Sequence, residues 1–309
     1  MGQHIRDSSP PSHLVFTDLD GTLLDHHTYG WKEALPALEH CRRTGVPVIL
    51  VSSKTRAEMD VLRCELSLSA PFVSENGGGV FFPRETFKDA PAGSFPAEIQ
   101  RSEGSKNTHV HSAAPSEHWQ WSFGVPYAHL IRVLSDIRKN LGLSIKGFSE
   151  MTVAEISRLT GLDEEAARLA AMREYDEPFV FEGRVPDDLR PLYESAAERG
   201  LTIVSGGRFH HLLGNNHKGN AMARIESWYN RQYHLNGHGH IPTIALGDSP
   251  NDFPMLLRAD FPVLIRSARD FPELKRKIPN LKTTEYPGPK GWNTAILDIL
   301  GGSEEKANA

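Results

Sequence analysis

The sequence predicts an α/β protein in which a doubly wound parallel sheet is interrupted by a smaller α+β domain. Two apolar runs, Leu14-Val15-Phe16 and Ile244-Ala245-Leu246, each lead into carboxylates and a glycine turn. The turns read Asp18-Leu19-Asp20-Gly21-Thr22 and Gly247-Asp248-Ser249-Pro250-Asn251-Asp252. From the first run to Gly79 the pattern is β-α-β-α-β, the rhythm of a sheet wound by crossover helices. After Pro83 that rhythm stops, and it resumes only at Lys218. Open parallel sheets of this Rossmann type bind ligands at the carboxyl ends of their strands, so the two acidic turns mark the expected site.

The elements follow in order. Trp31 to Thr44 is expected to be a helix with Ala34, Leu35, Leu38 and Cys41 on one face, stopped by Gly45. Val46 to Val51 is a buried strand running into Ser52-Ser53-Lys54-Thr55-Arg56, and a helix follows from Arg56 to Leu66. Pro71-Phe72-Val73 is a strand, and Asn76-Gly77-Gly78 a tight turn. In the inserted part, helices are expected at Val125 to Leu141, Thr152 to Leu159 and Asp163 to Glu174, with Thr152, Asp163 and Asp187 as N-caps. Leu201 to Val204 and His210 to Leu213 read as strands around Ser205-Gly206-Gly207-Arg208, and Gly219 to Tyr229 as a helix. The expected division is 13–82 and 214–301 for the catalytic core, 83–213 for the inserted domain, and 1–12 and 302–309 for flexible tails.

Composition narrows the function. At 309 residues the chain has room for two domains, and 39% hydrophobic with 24% charged residues is ordinary for a globular protein. A net charge of -5 argues against a general nucleic-acid binder. No apolar run approaches a membrane span. The polar start has no signal-peptide core, and Arg6 breaks a myristoylation pattern. Cys41 and Cys64 are too few for a disulfide framework, so a reduced cytoplasmic enzyme is expected. Oligomeric state is not legible. His234, His238 and His240 have metal-like spacing but sit in a Gly/Asn-rich stretch, read here as a solvated loop.

Two acidic strand ends side by side offer three or four carboxylates to one hard cation, which favours Mg²⁺ held with phosphate oxygens. The first turn resembles the DxDGT motif of the haloacid dehalogenase superfamily, and the second its GDSxND motif. The resemblance implies a haloacid dehalogenase-like core with a C2-type cap inserted between the second and third motifs. It implies Asp18 as nucleophile, forming an aspartyl-phosphate, and Asp20 as general acid and then base. Asp18, Asp248 and the carbonyl of Asp20 would hold Mg²⁺, with Asp252 and Asn251 in or beside the ligand set. Ser52 ends the second strand and should donate to a phosphoryl oxygen; the alignment can slip to Ser53. Lys218, opening a helix in His217-Lys218-Gly219, matches the third-motif lysine. Ser53, Lys54 and Thr55 also read as helix-capping chemistry.

Ser52-Ser53-Lys54-Thr55-Arg56-Ala57-Glu58, Ser205 to His211 and Gly288-Pro289-Lys290-Gly291-Trp292-Asn293 closely resemble the mannosyl-3-phosphoglycerate phosphatase family, over roughly residues 13 to 300. That family implies a small-molecule substrate, 2-O-mannosyl-3-phosphoglycerate, cleaved to mannosylglycerate and phosphate by a phosphoric monoester hydrolase. Such a substrate needs cations for its carboxylate. Arg208 beside Gly206 and Gly207 is the first candidate. Lys146, Glu150 and Arg173 are weaker ones, and Asn76 is expected to face the pocket mouth. A glucosyl substrate stays open, since the sugars differ by one hydroxyl direction. A phosphotransferase or mutase, or a non-catalytic sugar-phosphate sensor, are the other readings. Asp20 and the absence of apolar spans argue against an ion pump.

Overall fold

The structure, a computed structural model, describes residues 9–97, 118–206, 209–235 and 239–301. Gly207, Arg208, His238 and much of the 84–116 stretch lie outside the described residues, as does most of both expected tails.

The first part supplies β1 (Leu14–Thr17), α1 (Leu35–Thr44), β2 (Val48–Leu50), α2 (Arg56–Glu65) and β3 (Phe72–Ser74). An antiparallel group follows: β4 (Gly79–Pro83), β5 (Phe95–Pro96) and β6 (His118–Ser122). Then come α3 (Tyr127–Leu141), β7 (Ile145–Gly147), α4 (Val153–Thr160), α5 (Glu164–Ala170), β8 (Asp176–Phe181), α6 (Arg190–Ala197), β9 (Thr202–Gly206) and β10 (Phe209–Leu213). The winding resumes with α7 (Lys218–Gln232), β11 (Thr243–Gly247), α8 (Phe253–Leu256), β12 (Phe261–Leu264), α9 (Pro272–Lys277), β13 (Lys282–Thr283) and α10 (Gly288–Ile299).

β13, β12, β11, β1 and β2 lie side by side in that order, all parallel, so the expected doubly wound sheet is present. Alternation along β1 splits the core into two layers. Val15 packs with Leu38 and Cys41 of α1 and Trp292 and Ile296 of α10, whereas Leu14 and Phe16 pack with Met222 and Ile225 of α7. Thr17 sits opposite Leu246 in register, and the Asp18 N–H donates to the Leu246 carbonyl at 2.9 Å. The two acidic turns therefore leave adjacent strands at the same end of the sheet.

A bridge between Val51 and Val73 joins β2 to β3, which opens an antiparallel sheet ordered β3, β4, β6, β5. Phe82 of β4 and Trp121 of β6 pack edge to face, and Phe82 meets Trp228 of α7 in the second core layer. The compositional boundary at 83 falls at the last residue of β4. We propose that the inserted unit begins near Gly124 and runs to Leu213, with β4 to β6 kept by the core.

In that unit β7, β8, β10 and β9 form an antiparallel sheet in this order. Leu130 and Ile137 of α3 and Leu192 of α6 bury Phe179, Ile203 and Leu212, while Ile156 of α4 and Ala167 of α5 pack with Phe148 and Phe209. Thr152 and Asp163 cap α4 and α5 as expected. Asp187 caps nothing. It pairs with Arg184 at 2.6 Å, and α6 starts after Leu189 with a proline in its first turn. No helix among the described residues is long and apolar enough to cross a membrane.

Candidate active site

Lys218 is the first residue of α7 and is wholly buried. Its ammonium donates to Asp18 Oδ1 at 2.5 Å and to Asp252 Oδ1 at 2.6 Å. The other Asp252 oxygen accepts from the Asp248 N–H, the Ser249 N–H and the Ser249 hydroxyl, each at 3.1 Å. Asp248 closes the group: one carboxylate oxygen from each of Asp18, Asp248 and Asp252 lies within 4.8 Å of the others. Glycine is required in both motifs. Gly21 has φ of 80°, and a methyl there would sit 2.7 Å from Asp248 Oδ2. At Gly247 it would sit 2.4 Å from the Asp252 Cβ.

Three carboxylates against one ammonium leave a surplus of negative charge. Burial, and then Asp252, push the Asp18 carboxyl up to about 8 despite the pull of Lys218. Burial and Asp252 likewise push Asp248 up to about 6. Burial opposes the charge on Lys218, but Asp18 and Asp252 outweigh it and raise its pKa. An all-oxygen donor set short of positive charge fits a hard divalent cation.

Behind the cluster, the Trp292 indole donates to Thr17 Oγ1 at 2.9 Å, and Thr17 donates to the Asp18 carbonyl at 2.7 Å. Asn293 Oδ1 accepts the Ala37 N–H at 2.9 Å, near the start of α1. The segment from Gly288 to Asn293 thus acts as a prop for β1 and α1.

The neighbouring strand ends carry the remaining expected residues. Ser52 is buried, and its hydroxyl accepts the Lys54 N–H at 3.2 Å. Asn76 donates its N–H to the Ser52 carbonyl at 2.9 Å and accepts from Asn251 Nδ2 at 3.2 Å. Asn251 also accepts from the Ser249 hydroxyl. Ser52, Asn76 and Asn251 thereby join three loops. Asp20 pairs with Lys54, its Oδ2 3.0 Å from the ammonium, while its buried Oδ1 has no hydrogen-bond partner among the described residues.

The weaker candidates separate. Lys146 donates to Glu155 at 2.7 Å and Glu150 accepts from Arg138 at 2.8 Å, both within the inserted unit. Arg173 instead reaches the core, donating to the Ser53 carbonyl at 2.9 Å and lying 3.6 Å from Asp176. Gly206 ends β9, and Gly207 and Arg208 lie outside the described residues.

Two residues were not read from the sequence. Glu75, wholly buried, accepts the Tyr175 N–H at 2.7 Å and the Glu174 N–H at 3.0 Å, fastening the inserted unit beside Asn76. An acid next to a glycine turn at the end of a buried strand was the available signal. Lys54 is the other. Thr55 supplies the capping box of α2 with Glu58, which leaves the lysine ammonium for Asp20. Lys54 also lines a cavity of about 840 Å³ bounded by Tyr29 and Trp31, by α2, and by Gly161 to Leu169 of the inserted unit. Asp18, Asp20 and Asp248 are not in its wall; Lys54, which is, pairs with Asp20, and Leu24 and Asp25 bring the end of the first acidic turn to the same space.

Residues 15–93 match the profile of the haloacid dehalogenase-like hydrolases. Solved structures agree on the fold. A Thermoplasma acidophilum protein superposes with a TM-score of 0.61 at 18% identity, covering 94% of this chain and 98% of the other. A haloacid dehalogenase-like hydrolase from Bacteroides thetaiotaomicron gives 0.57 at 15% identity, covering 93% and 99%. Fold and acidic cluster together define a hydrolase of the haloacid dehalogenase type. Closer relatives are the glucosyl-3-phosphoglycerate/mannosyl-3-phosphoglycerate phosphatases of Methanococcoides burtonii, 38% identical over 94% of this chain and 97% of the relative, and of Persephonella marina, 36% identical over 93% and 97%. The chain belongs to this glucosyl/mannosyl-3-phosphoglycerate phosphatase family within the haloacid dehalogenase superfamily.

Proposed function

We propose that the protein is a Mg²⁺-dependent cytoplasmic phosphatase that hydrolyses 2-O-mannosyl-3-phosphoglycerate to mannosylglycerate and phosphate. The observation that carries this reading is Lys218 bridging Asp18 and Asp252 next to Asp248, in a chain whose relatives are named for that substrate class. Both relatives are named for the glucosyl ester as well, which favours glucosyl-3-phosphoglycerate as a second substrate of the same site.

The chemistry follows from the residues. The Asp18 carboxylate attacks phosphorus in line with the ester oxygen, the P–O bond breaks, and an aspartyl-phosphate forms. Asp20 gives its proton to the leaving oxygen, and its unpartnered Oδ1 is the atom free to do so. Water then attacks the phosphorus of the aspartyl-phosphate while Asp20 takes a proton from it, releasing phosphate and restoring Asp18. Lys218 neutralises Asp18 and a phosphoryl oxygen together. Ser52 donates its hydroxyl to another, with Ser53, Asn76 and Asn251 around the same anion. Asp18 and Asp248, with the Asp20 carbonyl, would hold Mg²⁺, and Asp252 would orient Asp248 and Lys218. When bound, the ion offsets the charge of carboxylates and phosphate so that two anions can meet.

A phosphate-release assay on mannosyl- and glucosyl-3-phosphoglycerate, 3-phosphoglycerate and a nitrophenyl ester tests the reading. The glycosyl esters should show the highest kcat/KM, and a chelator should abolish turnover reversibly. No turnover of either glycosyl ester, or transfer to a sugar acceptor faster than to water, would overturn it.

A further inference from the structure

The geometry points to Lys54 as the residue that recognises the substrate carboxylate, holding it beside Asp20 while the glycosyl group enters the adjoining cavity. This assignment rests on the phosphatase reading and specifies where the leaving group lies.

Asp20 fixes the position of the leaving oxygen, because the proton must pass from its carboxyl to that atom. One Asp20 oxygen is occupied by Lys54 at 3.0 Å and the other has no hydrogen-bond partner among the described residues. The Lys54 ammonium is therefore one carboxyl group away from the leaving oxygen. In a 3-phosphoglycerate ester the carboxylate is three bonds from that same oxygen, a span that matches the offset. An ammonium has three donors, and Asp20 accounts for one. The Lys54 side chain is only 17% exposed, and Glu58 in the same cavity wall acts on its charge together with Asp20. Its ammonium lies 5.4 Å from the Tyr29 ring centre, which limits where the head can swing.

The cavity supplies the rest. Lys54 forms part of its wall, and Tyr29 and Trp31 offer aromatic surface against which a sugar ring can pack. Leu162 and Leu169 of the inserted unit line it too, so both halves of the molecule would touch the glycosyl group. A volume of about 840 Å³ accommodates a hexose with its glycerate stem.

The test compares paired substrates with and without the carboxylate. One pair is 2-O-glycosyl-3-phosphoglycerate and its analogue with the carboxylate reduced to an alcohol; the other is 3-phosphoglycerate and glycerol phosphate. Wild type should prefer the carboxylate member of each pair by roughly 10-fold or more in kcat/KM, the worth of a charge-assisted contact. Lys54→Met should slow every substrate through the loss of the Asp20 partner and, beyond that, collapse the preference. Lys54→Arg should retain most of it. Absence of a preference in wild type overturns the assignment without any variant. An equal loss on both members in Lys54→Met overturns it as well, leaving Lys54 as a positioning residue for Asp20. Failure of both glycosyl esters, with the preference intact in the small pair and lost in Lys54→Met, would refute the glycosyl substrate while upholding Lys54.

Discussion

Arg173 of the inserted unit donates to the backbone carbonyl of Ser53 at 2.9 Å, one residue beyond Ser52 at the strand end expected to bind phosphate. The guanidinium is almost wholly buried, and Asp176, 3.6 Å away, is its charge partner. Sequence reasoning offered Arg173 as a substrate contact. Its position makes it a tie between the inserted unit and the loop after β2, helped by Arg56 pairing with Glu174 at 3.0 Å and by Thr55 donating to the Leu169 carbonyl at 2.8 Å.

Removing that tie should be costly. Arg173→Ala leaves the buried Asp176 with His211 alone and frees the Ser53 carbonyl. Breaking a buried ion pair by deleting one partner costs about 3–5 kcal/mol. Denaturant unfolding at neutral pH should register a loss of that order. A change below about 1 kcal/mol, the scale of an exposed pair, would show that the junction does not depend on it.

Glu75 gives a pH signature. Burial pushes its carboxyl up to about 8, against the pull of Arg173. The folded chain then keeps a proton that the unfolded chain releases near the ordinary carboxylate range. The stability linked to it is present at low pH and is lost as pH rises toward about 8. Glu75→Gln keeps an acceptor for the Glu174 and Tyr175 amides and removes the titration. The variant's Tm should match wild type near pH 5 and exceed it increasingly toward pH 8, where the buried carboxyl ionises. A difference that stays constant with pH would contradict the assignment.

Asp18 should show function traded against stability. Its carboxyl is also raised, so in chelator its ionisation costs stability between the ordinary carboxylate range and about 8. Asp18→Asn is expected to be inactive yet at least as stable as wild type at pH 8 without metal. Added Mg²⁺ should raise the wild-type Tm more than that of the variant, since a ligand stabilises only the fold that binds it. Equal metal-induced shifts would remove Asp18 from the cation site.

Gly21→Ala tests the contact between the two acidic turns. The left-handed backbone and a methyl 2.7 Å from Asp248 Oδ2 must together displace that carboxylate. The Mg²⁺ concentration giving half-maximal activity should rise by roughly 10-fold or more, as when a metal ligand loses its alignment. An unchanged Mg²⁺ requirement with normal kcat would show that Asp248 tolerates the shift.

The parallel sheet was legible because its strands are short apolar runs and its helices carry clear one-sided patterns. The acidic cluster was legible because the order of motifs, with Lys218 at a helix start, constrains where the strand ends meet. β6 was not anticipated: its alternation, His118 to Ser122, is only five residues long and follows a stretch without periodicity. Asp187 looked like an N-cap, but a neighbouring arginine and a later proline moved the helix start. Lys54 was absorbed into a capping pattern that Thr55 satisfies alone. Arg173 and Glu75 meet partners about 120 and 100 residues away in the chain, contacts that local pattern cannot reveal.

The most direct test of the account is to trap the covalent intermediate on Asp18. Enzyme turning over a phosphate ester with Mg²⁺ is quenched, reduced with borohydride and digested, and position 18 is identified by mass spectrometry. An aspartyl-phosphate is reduced to homoserine, whereas a free carboxylate is not. The account predicts homoserine at position 18 only when substrate and metal are both present, and no turnover in Asp18→Asn. Unmodified Asp18 during rapid turnover, together with wild-type rates in Asp18→Asn, would contradict it.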